Sequence, residues 1–228
     1  MATIHRVDRL EDVPKRTPAA DFVVIDVIIS STSIVRLLEE GVAYVRPFFD
    51  IEEALAFKER TDDALLVGEQ GGGPIDGFDL SPLPSVFRSH DLDGRPVGIC
   101  TSNGTRAVER IGNDADVFVG TTVNAAAVAA ELFSRERDTW LVPAGRRGEP
   151  APEDTAGARL LDACYRSERD ALDEIGADVD EIAQMIRSSG TAEWLRSLGF
   201  EHEIEAICSF NSTDVVPRLR DGVFVDGN

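Results

Sequence analysis

The chain has 228 residues, of which 43% are hydrophobic, and its 42 acidic and 23 basic side chains leave a formal net charge of −19. A composition of this kind predicts a folded chain with a substantial core, and no apolar run approaches the ~18–20 residues that span a bilayer. The negative charge repels phosphate backbones and anionic lipids, so nucleic acid and membranes are not expected partners. Charges lie where a signal peptide has its apolar stretch, which predicts a cytoplasmic protein.

The acidic side chains are spread along the whole chain, and only Lys15 and Lys58 are lysines. Acid-rich, lysine-poor surfaces resemble those of proteins from salt-loving organisms, in which dissolved ions screen the self-repulsion. We therefore expect the melting temperature to rise steeply when thermal unfolding is measured from low to molar KCl. A flat curve would contradict this halophilic interpretation.

From residue 22 onward, short apolar runs alternate with helical patterns and polar turns. The runs expected to form strands are residues 22–29, 42–48, 64–67, 97–99, 116–119 and 139–142. This alternation predicts an α/β fold, specifically a three-layer α/β/α sandwich with a mostly parallel central sheet. A helical segment at about 155–199 is expected to pack on the sheet, and residues 220–223 predict a hairpin turn. No linker interrupts the pattern, so we predict a single domain over residues 1–228.

Residues 95–108 form the clearest strand–turn–helix pattern, with a strand at 97–99, a polar turn at 101–104 and a helix from Thr105. Unpaired N–H groups at a helix N-terminus favour an anion such as phosphate. The side chains expected to assist are Ser102, Asn103, Thr105 and Arg106. An ordinary strand-to-helix turn capped by Asn103 explains the same residues.

Small and polar residues follow most of the predicted strands. They occupy residues 30–33, 68–73, 101–105, 121–124 and 145–154. In a doubly wound sheet such loops share one edge, at the carboxyl ends of the strands, where ligands bind. The sequence therefore predicts one binding site built jointly by these loops.

Four carboxylates are expected at that edge: Asp26, Glu69, Glu153 and Asp154. Asp26 interrupts a buried apolar run, and Glu69 lies among glycines that allow a ligand close to the backbone. Carboxylates beside an anionic ligand favour Mg²⁺, or alternatively Mn²⁺, with Asp26 and Glu69 as candidate metal ligands. Structural roles explain the same residues, with Asp26 capping the turn at Ser30 and the pair of residues 153 and 154 capping a helix.

Cys100 and Arg106 have the C-x5-R spacing of cysteine-dependent phosphatases, in which a thiolate attacks phosphorus. The residue before this cysteine is Ile99, where those enzymes carry His. The sequence therefore favours the carboxylates over a nucleophilic Cys100.

Several short motifs occur together in a fixed order. They are Asp26-Val27, Ser31-Thr32, Gly68-Glu69 with Gly71-Gly72, Phe78-Asp79-Leu80, Ser102-Asn103-Gly104-Thr105-Arg106, Gly120 with Asn124-Ala125, and Ala144-Gly145 followed by Glu153-Asp154. This ordered set resembles the 2-phosphosulfolactate phosphatase family over roughly residues 20–218. The resemblance implies a three-layer α/β/α fold and an Mg²⁺-dependent phosphatase that releases phosphate from 2-phosphosulfolactate, a step toward coenzyme M.

The resemblance also implies a role for each matching position. The implied catalytic residues are Asp26, Glu69, Glu153 and Asp154, of which Asp26 and Glu69 are also the implied metal ligands. The implied substrate and phosphate ligands are Ser31, Thr32, Gly71, Gly72, Ser102, Asn103, Gly104, Thr105, Arg106 and Asn124.

The chain departs from the family pattern at Ile29 and Gln70, where the family carries arginine, and at Ser81-Pro82-Leu83-Pro84, where it carries Gly-Asn-Ser-Pro. The first two departures remove cations that would face the substrate. One explanation is that Arg106, Arg146 and Arg147 supply the missing charge. A second is that the substrate differs and is a less anionic phosphate ester than 2-phosphosulfolactate. A third is that the chain has lost catalysis and binds a phosphorylated metabolite or a partner protein. A homodimer is compatible with all three.

Overall fold

The computed structural model describes residues 2–14, 20–111, 115–170 and 177–227. Its strands are β1 (Ile4–Arg6), β2 (Asp21–Ile25), β3 (Tyr44–Phe48), β4 (Leu65–Gly68), β5 (Pro96–Cys100), β6 (Asp116–Val119), β7 (Thr139–Pro143), β8 (Pro217–Arg220) and β9 (Val223–Asp226). Its helices are α1 (Ser30–Glu39), α2 (Ile51–Arg60), α3 (Pro84–Phe87), α4 (Gly104–Ile111), α5 (Ala125–Ser134), α6 (Pro152–Asp170), α7 (Val179–Arg187), α8 (Gly190–Ser197) and α9 (Glu201–Ile207).

Within the described residues, the strands form one sheet in the order β1-β7-β2-β6-β8-β9-β3-β5-β4. Two parallel blocks, β1-β7-β2-β6 and β3-β5-β4, lie on either side of the antiparallel β8–β9 hairpin. The hairpin turns at Asp221 and Gly222, whose positive φ angles of 51° and 80° are typical of the turn expected from the sequence. The mostly parallel α/β/α architecture predicted from the sequence is confirmed.

Helices cover both faces of the sheet because successive strand residues point to opposite sides. Val23 and Ile25 pack into a cluster with α5, α6, α7, α8 and α9. Val24, between them, packs into a second cluster with α1 and α4. The helical segment expected at about 155–199 thus packs on one face. None of the described helices combines the length and the hydrophobicity needed to cross a membrane.

The apolar run at residues 22–29 predicts one long strand, but β2 ends at Ile25. The Asp26 N–H donates to Ser31 Oγ (2.8 Å), and the Ser31 N–H donates to the Asp26 carbonyl (2.9 Å). The Ile29 N–H donates to Asp26 Oδ1 (2.9 Å). These local hydrogen bonds replace the sheet ladder and turn the chain into α1. Asp26 therefore lies at the carboxyl edge of the sheet.

Several arginines are paired at the opposite, amino edge of the sheet. Arg135 lies 2.7 Å from Asp21 and 3.1 Å from Asp116, and Arg137 and Arg218 also donate to Asp116. Burial alone would raise the pKa of Asp116, but the hydrogen bonds from Arg218 and Arg137 lower it to about 2. These three arginines are therefore engaged in structural ion pairs away from the carboxyl edge.

Candidate active site

A cleft of about 160 Å³ lies at the carboxyl edge, where the loops after β2, β4, β5 and β7 meet. The residues expected from the sequence that line it are Asp26, Glu69, Gly71, Gly72, Ser102, Asn103, Glu153 and Asp154. The fold thus brings all four candidate carboxylates together with the glycine turn after β4 and the polar turn after β5.

The turn after β5 reaches the cleft because residue 104 is glycine. A Cβ on Gly104 would lie 2.3 Å from Ser30 Oγ and 3.0 Å from Asp26 Oδ2. No side chain fits in that space, so glycine allows the N-terminus of α4 to pack against Asp26 and the start of α1. Gly104 thereby joins the two parallel blocks of the sheet at the cleft.

Asp26 is a buried carboxylate whose ionisation is opposed by its surroundings. Burial raises its pKa to about 6, since the N–H groups of Ile29 and Ser30 only partly offset the desolvation, and Glu153 and Glu69 add repulsion. In the described part of the chain it forms no ion pair with an arginine or lysine. A cation bound beside Asp26 would favour its ionised form.

Glu153 and Asp154 lie at the start of α6 but differ in their partners. Asp154 accepts the Val27 N–H (2.8 Å) and the Gly145 N–H (2.9 Å), so it holds the loops after β2 and β7 together rather than capping its own helix. Burial, followed by the charges of Asp26 and Glu153, raises the pKa of Asp154 well above its ordinary value. Glu153 is only 3% exposed, and no described group donates a hydrogen bond to it. Both of its carboxylate oxygens are available to a ligand.

Glu69 is held by three donors. Its Oε1 accepts the Ser102 N–H (2.8 Å), and its Oε2 accepts the Gly72 N–H (2.6 Å) and the Ser102 hydroxyl (3.2 Å). Ser102 Oγ in turn accepts the Gly71 N–H (3.1 Å). Glu69 therefore ties the turn after β4 to the turn after β5, and its role as a metal ligand stays a prediction.

The other ligands expected from the sequence are Ser31, Thr32, Gly104, Thr105, Arg106 and Asn124, and they do not line the cleft. Thr32 is buried and donates to the Val27 carbonyl (2.7 Å), while Thr105 donates to the Thr101 carbonyl (2.8 Å). Asn124 Oδ1 accepts the Thr121 N–H (2.9 Å). The buried polar side chains among these residues therefore hydrogen-bond to the loops beneath the cleft and hold them in place. Arg106 instead lies exposed on α4.

Three residues that line the cleft were not singled out from the sequence: Thr101, which was placed in the polar turn without a role of its own, and Thr191 and Trp194. Thr101 Oγ1 is buried and has no hydrogen-bond partner among the described residues, which points to a ligand or a water there. Its position next to Ser102 was the available signal. Thr191 and Trp194 belong to α8, and no local pattern connects that helix to the cleft. The Trp194 ring covers Gly72, where a Cβ would lie 2.7 Å from the ring.

Comparison with known proteins agrees with the motif order. The sequence matches the family model of 2-phosphosulpholactate phosphatase over residues 7–222. A Thermotoga petrophila protein named probable 2-phosphosulfolactate phosphatase is 34% identical over 209 residues, which cover 89% of this chain and 90% of the relative. Proteins of the same name from Thermoplasma acidophilum and Carboxydothermus hydrogenoformans are 31% and 30% identical, across 89% of this chain and 87% and 88% of theirs. The chain therefore belongs to the 2-phosphosulfolactate phosphatase family.

Proposed function

We propose that this chain is a phosphatase that hydrolyses the phosphate ester of a small anionic 2-hydroxy acid, the kind of reaction named for its relatives. The observation that carries the proposal is the convergence of four carboxylates in one cleft with the N-terminal turn of α4. Carboxylates next to an anion-binding turn provide both a means to hold a cation and a place for a phosphoryl group.

The phosphoryl group is expected at the turn after β5. The N-terminus of α4 carries the positive end of the helix dipole, which favours an anion. Thr101 Oγ1 offers a hydroxyl without a partner in the described structure, and Asn103 lines the same part of the cleft. Because Gly104 packs this turn against Asp26, a phosphoryl group bound there would lie beside that carboxylate.

We further propose that the activity requires Mg²⁺, for which Mn²⁺ can substitute. The oxygen donors of the cleft fit such an ion, because Asp26 and Glu153 are crowded carboxylates without a basic partner in the described residues. No three Asp, Glu, His or Cys side chains of the described chain form a ready metal group. Asp26 and Glu153 would therefore hold the ion together with substrate oxygens and water. A bound ion supplies polarisation of the phosphoryl oxygens.

Phosphate release from a panel of phosphorylated 2-hydroxy acids tests this function, with and without Mg²⁺ and after treatment with a chelator. Release that depends on the divalent ion supports both parts of the proposal. Full activity after chelation would contradict the metal requirement alone. Binding of the esters measured by calorimetry, without phosphate release, would instead indicate a catalytically diverged family member.

Cys100→Ser is expected to retain most of the phosphatase activity. Burial, followed by the charges of Glu69 and Asp50, raises the pKa of the Cys100 thiol to about 11. Such a thiol is almost entirely protonated at neutral pH and is a poor nucleophile. Steady-state kinetics of the variant and the wild type provide the check, and lost turnover with an unchanged melting temperature would support the thiolate mechanism.

A further inference from the structure

Two arginines that line the cleft have no partner among the residues that the structure describes. Arg146 and Arg147 follow β7, which lies on the side of β2 away from β5 in the sheet order. They are the only basic side chains among the described residues that line the cleft. Neither guanidinium makes a hydrogen bond or an ion pair with a described group. Both are therefore available to a ligand.

The backbone holds Arg147 in an unusual conformation. The Arg146 N–H donates to the Glu149 carbonyl (2.8 Å), and the Glu149 N–H donates to the Arg146 carbonyl (3.1 Å). The two central residues of this tight turn, Arg147 and Gly148, have φ angles of 54° and 82°. Glycine, Asn or Asp usually occupies such positions, because a longer side chain is disfavoured at positive φ. The presence of an arginine at this strained position indicates a functional role for its side chain.

The charges of the cleft indicate the role of the two arginine side chains. Four carboxylates line the cleft, so a substrate with an acid group of its own is repelled unless a cation faces that group. Ile29 lines the cleft without a charge, and the arginines at the amino edge are engaged in ion pairs. Arg146 and Arg147 are thus the described cations placed to meet a second anionic group.

We propose that Arg146 and Arg147 bind the carboxylate or sulfonate of the substrate and thereby make the cleft selective for phosphorylated hydroxy acids. This inference rests on the proposed function, in which the phosphoryl group occupies the α4 side of Asp26. The planar guanidinium matches both acid groups through paired N–H donors. The two arginines then determine which ester is bound, while the carboxylates act on the phosphoryl group.

The test compares two esters that differ only in the acid group, 2-phospholactate and isopropyl phosphate. The variants are Arg146→Met, Arg147→Met and the double variant, since methionine keeps an unbranched side chain without the charge. We expect the ratio of kcat/KM for the two esters to fall by about 10- to 100-fold in the double variant, mainly through KM for 2-phospholactate. Arg220→Met, at the end of β8 and outside the cleft, is the matched control and is expected to keep the wild-type ratio.

An unchanged ratio in the double variant, together with unchanged binding of 3-sulfolactate measured by calorimetry, would overturn the proposal. An equal loss for both esters would also overturn it, because the arginines would then serve the phosphoryl group. If the wild type hydrolyses neither these two esters nor any phosphorylated 2-hydroxy acid of the panel, the proposed function fails instead. Calorimetry with lactate and 3-sulfolactate then tests the arginines independently, and it also separates the carboxylate from the sulfonate. Weaker binding in the double variant supports the proposal, and unchanged binding overturns it.

Arg147→Gly separates binding from a structural role. Glycine relieves the strain of the positive φ, so we expect the melting temperature to rise while the ratio of kcat/KM falls. An unchanged ratio of kcat/KM, at either melting temperature, would overturn the assignment of Arg147 to substrate binding.

Discussion

Asp26→Asn is expected to lower kcat by about 10²- to 10⁴-fold while the fold stays intact. Asparagine keeps an oxygen that can accept the Ile29 N–H, a bond of 2.9 Å in the wild type, so the turn into α1 is preserved. It removes the charge that we expect to help hold a divalent ion beside the phosphoryl group. Phosphate release at saturating Mg²⁺ measures the effect.

The same replacement is expected to raise the melting temperature above pH 6 when no divalent ion is present. Burial raises the pKa of Asp26 from 3.8 to about 6, so ionisation is harder in the folded state than in the unfolded one. The wild type therefore loses stability as the pH rises from about 4 through about 6. Asparagine does not ionise, so its advantage is greatest at neutral pH and vanishes below about pH 4.

Added Mg²⁺ supplies a second readout for Asp26 that does not depend on turnover. A metal ion that binds the folded state but not the unfolded state raises the melting temperature of the protein. We expect this rise in the wild type and in Asp62→Asn, a control at an exposed carboxylate outside the cleft, but not in Asp26→Asn. Wild-type kcat in Asp26→Asn, or an equal Mg²⁺ effect in all three proteins, would contradict the proposed role of Asp26.

Gly104→Ala is expected to reduce both stability and activity. The new Cβ would lie 2.3 Å from Ser30 Oγ and 2.4 Å from Ser30 Cβ, so α4 has to move away from the start of α1. Overpacking of this kind typically costs about 1–3 kcal/mol, which lowers the melting temperature of a protein of this size by several degrees. The shift also separates the turn at Thr101 from Asp26, and we expect kcat to fall by about 10²-fold.

Gly190→Ala is the matched control for this substitution. Gly190 begins α8, and a Cβ placed on it meets no described atom within 4 Å. Alanine favours a helix more than glycine does, so the control is expected to be neutral or stabilising. Urea unfolding and phosphate release are measured for both variants. If Gly104→Ala changed the free energy of unfolding and the phosphatase activity as little as Gly190→Ala does, the close packing of the two parallel blocks at Gly104 would be contradicted.

The sequence by itself determined the architecture and the edge at which the site lies. The spacing of apolar residues that is typical of a strand or a helix involves only residues close together in the chain. The alternation of strands and helices can therefore be predicted from short segments of the sequence. Parallel strands place their following loops at one edge, which is why Asp26, Glu69, Glu153 and Asp154 could be assigned to one site before their contacts were known. The end of β2 was predicted less well, because the side-chain hydrogen bonds around Asp26 outweigh the apolar pattern.

Only the tertiary structure decided how each carboxylate of the site is used. Asp154 accepts the N–H of Val27, a residue 127 positions away, and Glu69 accepts donors from the turn after β5, whereas Glu153 is buried without a described donor. The covering of Gly72 by Trp194 arises in the same way. Such contacts join segments that are distant in the chain, and they exist only once both blocks of the sheet have packed. No local residue pattern encodes them, because their geometry is a property of the assembled core.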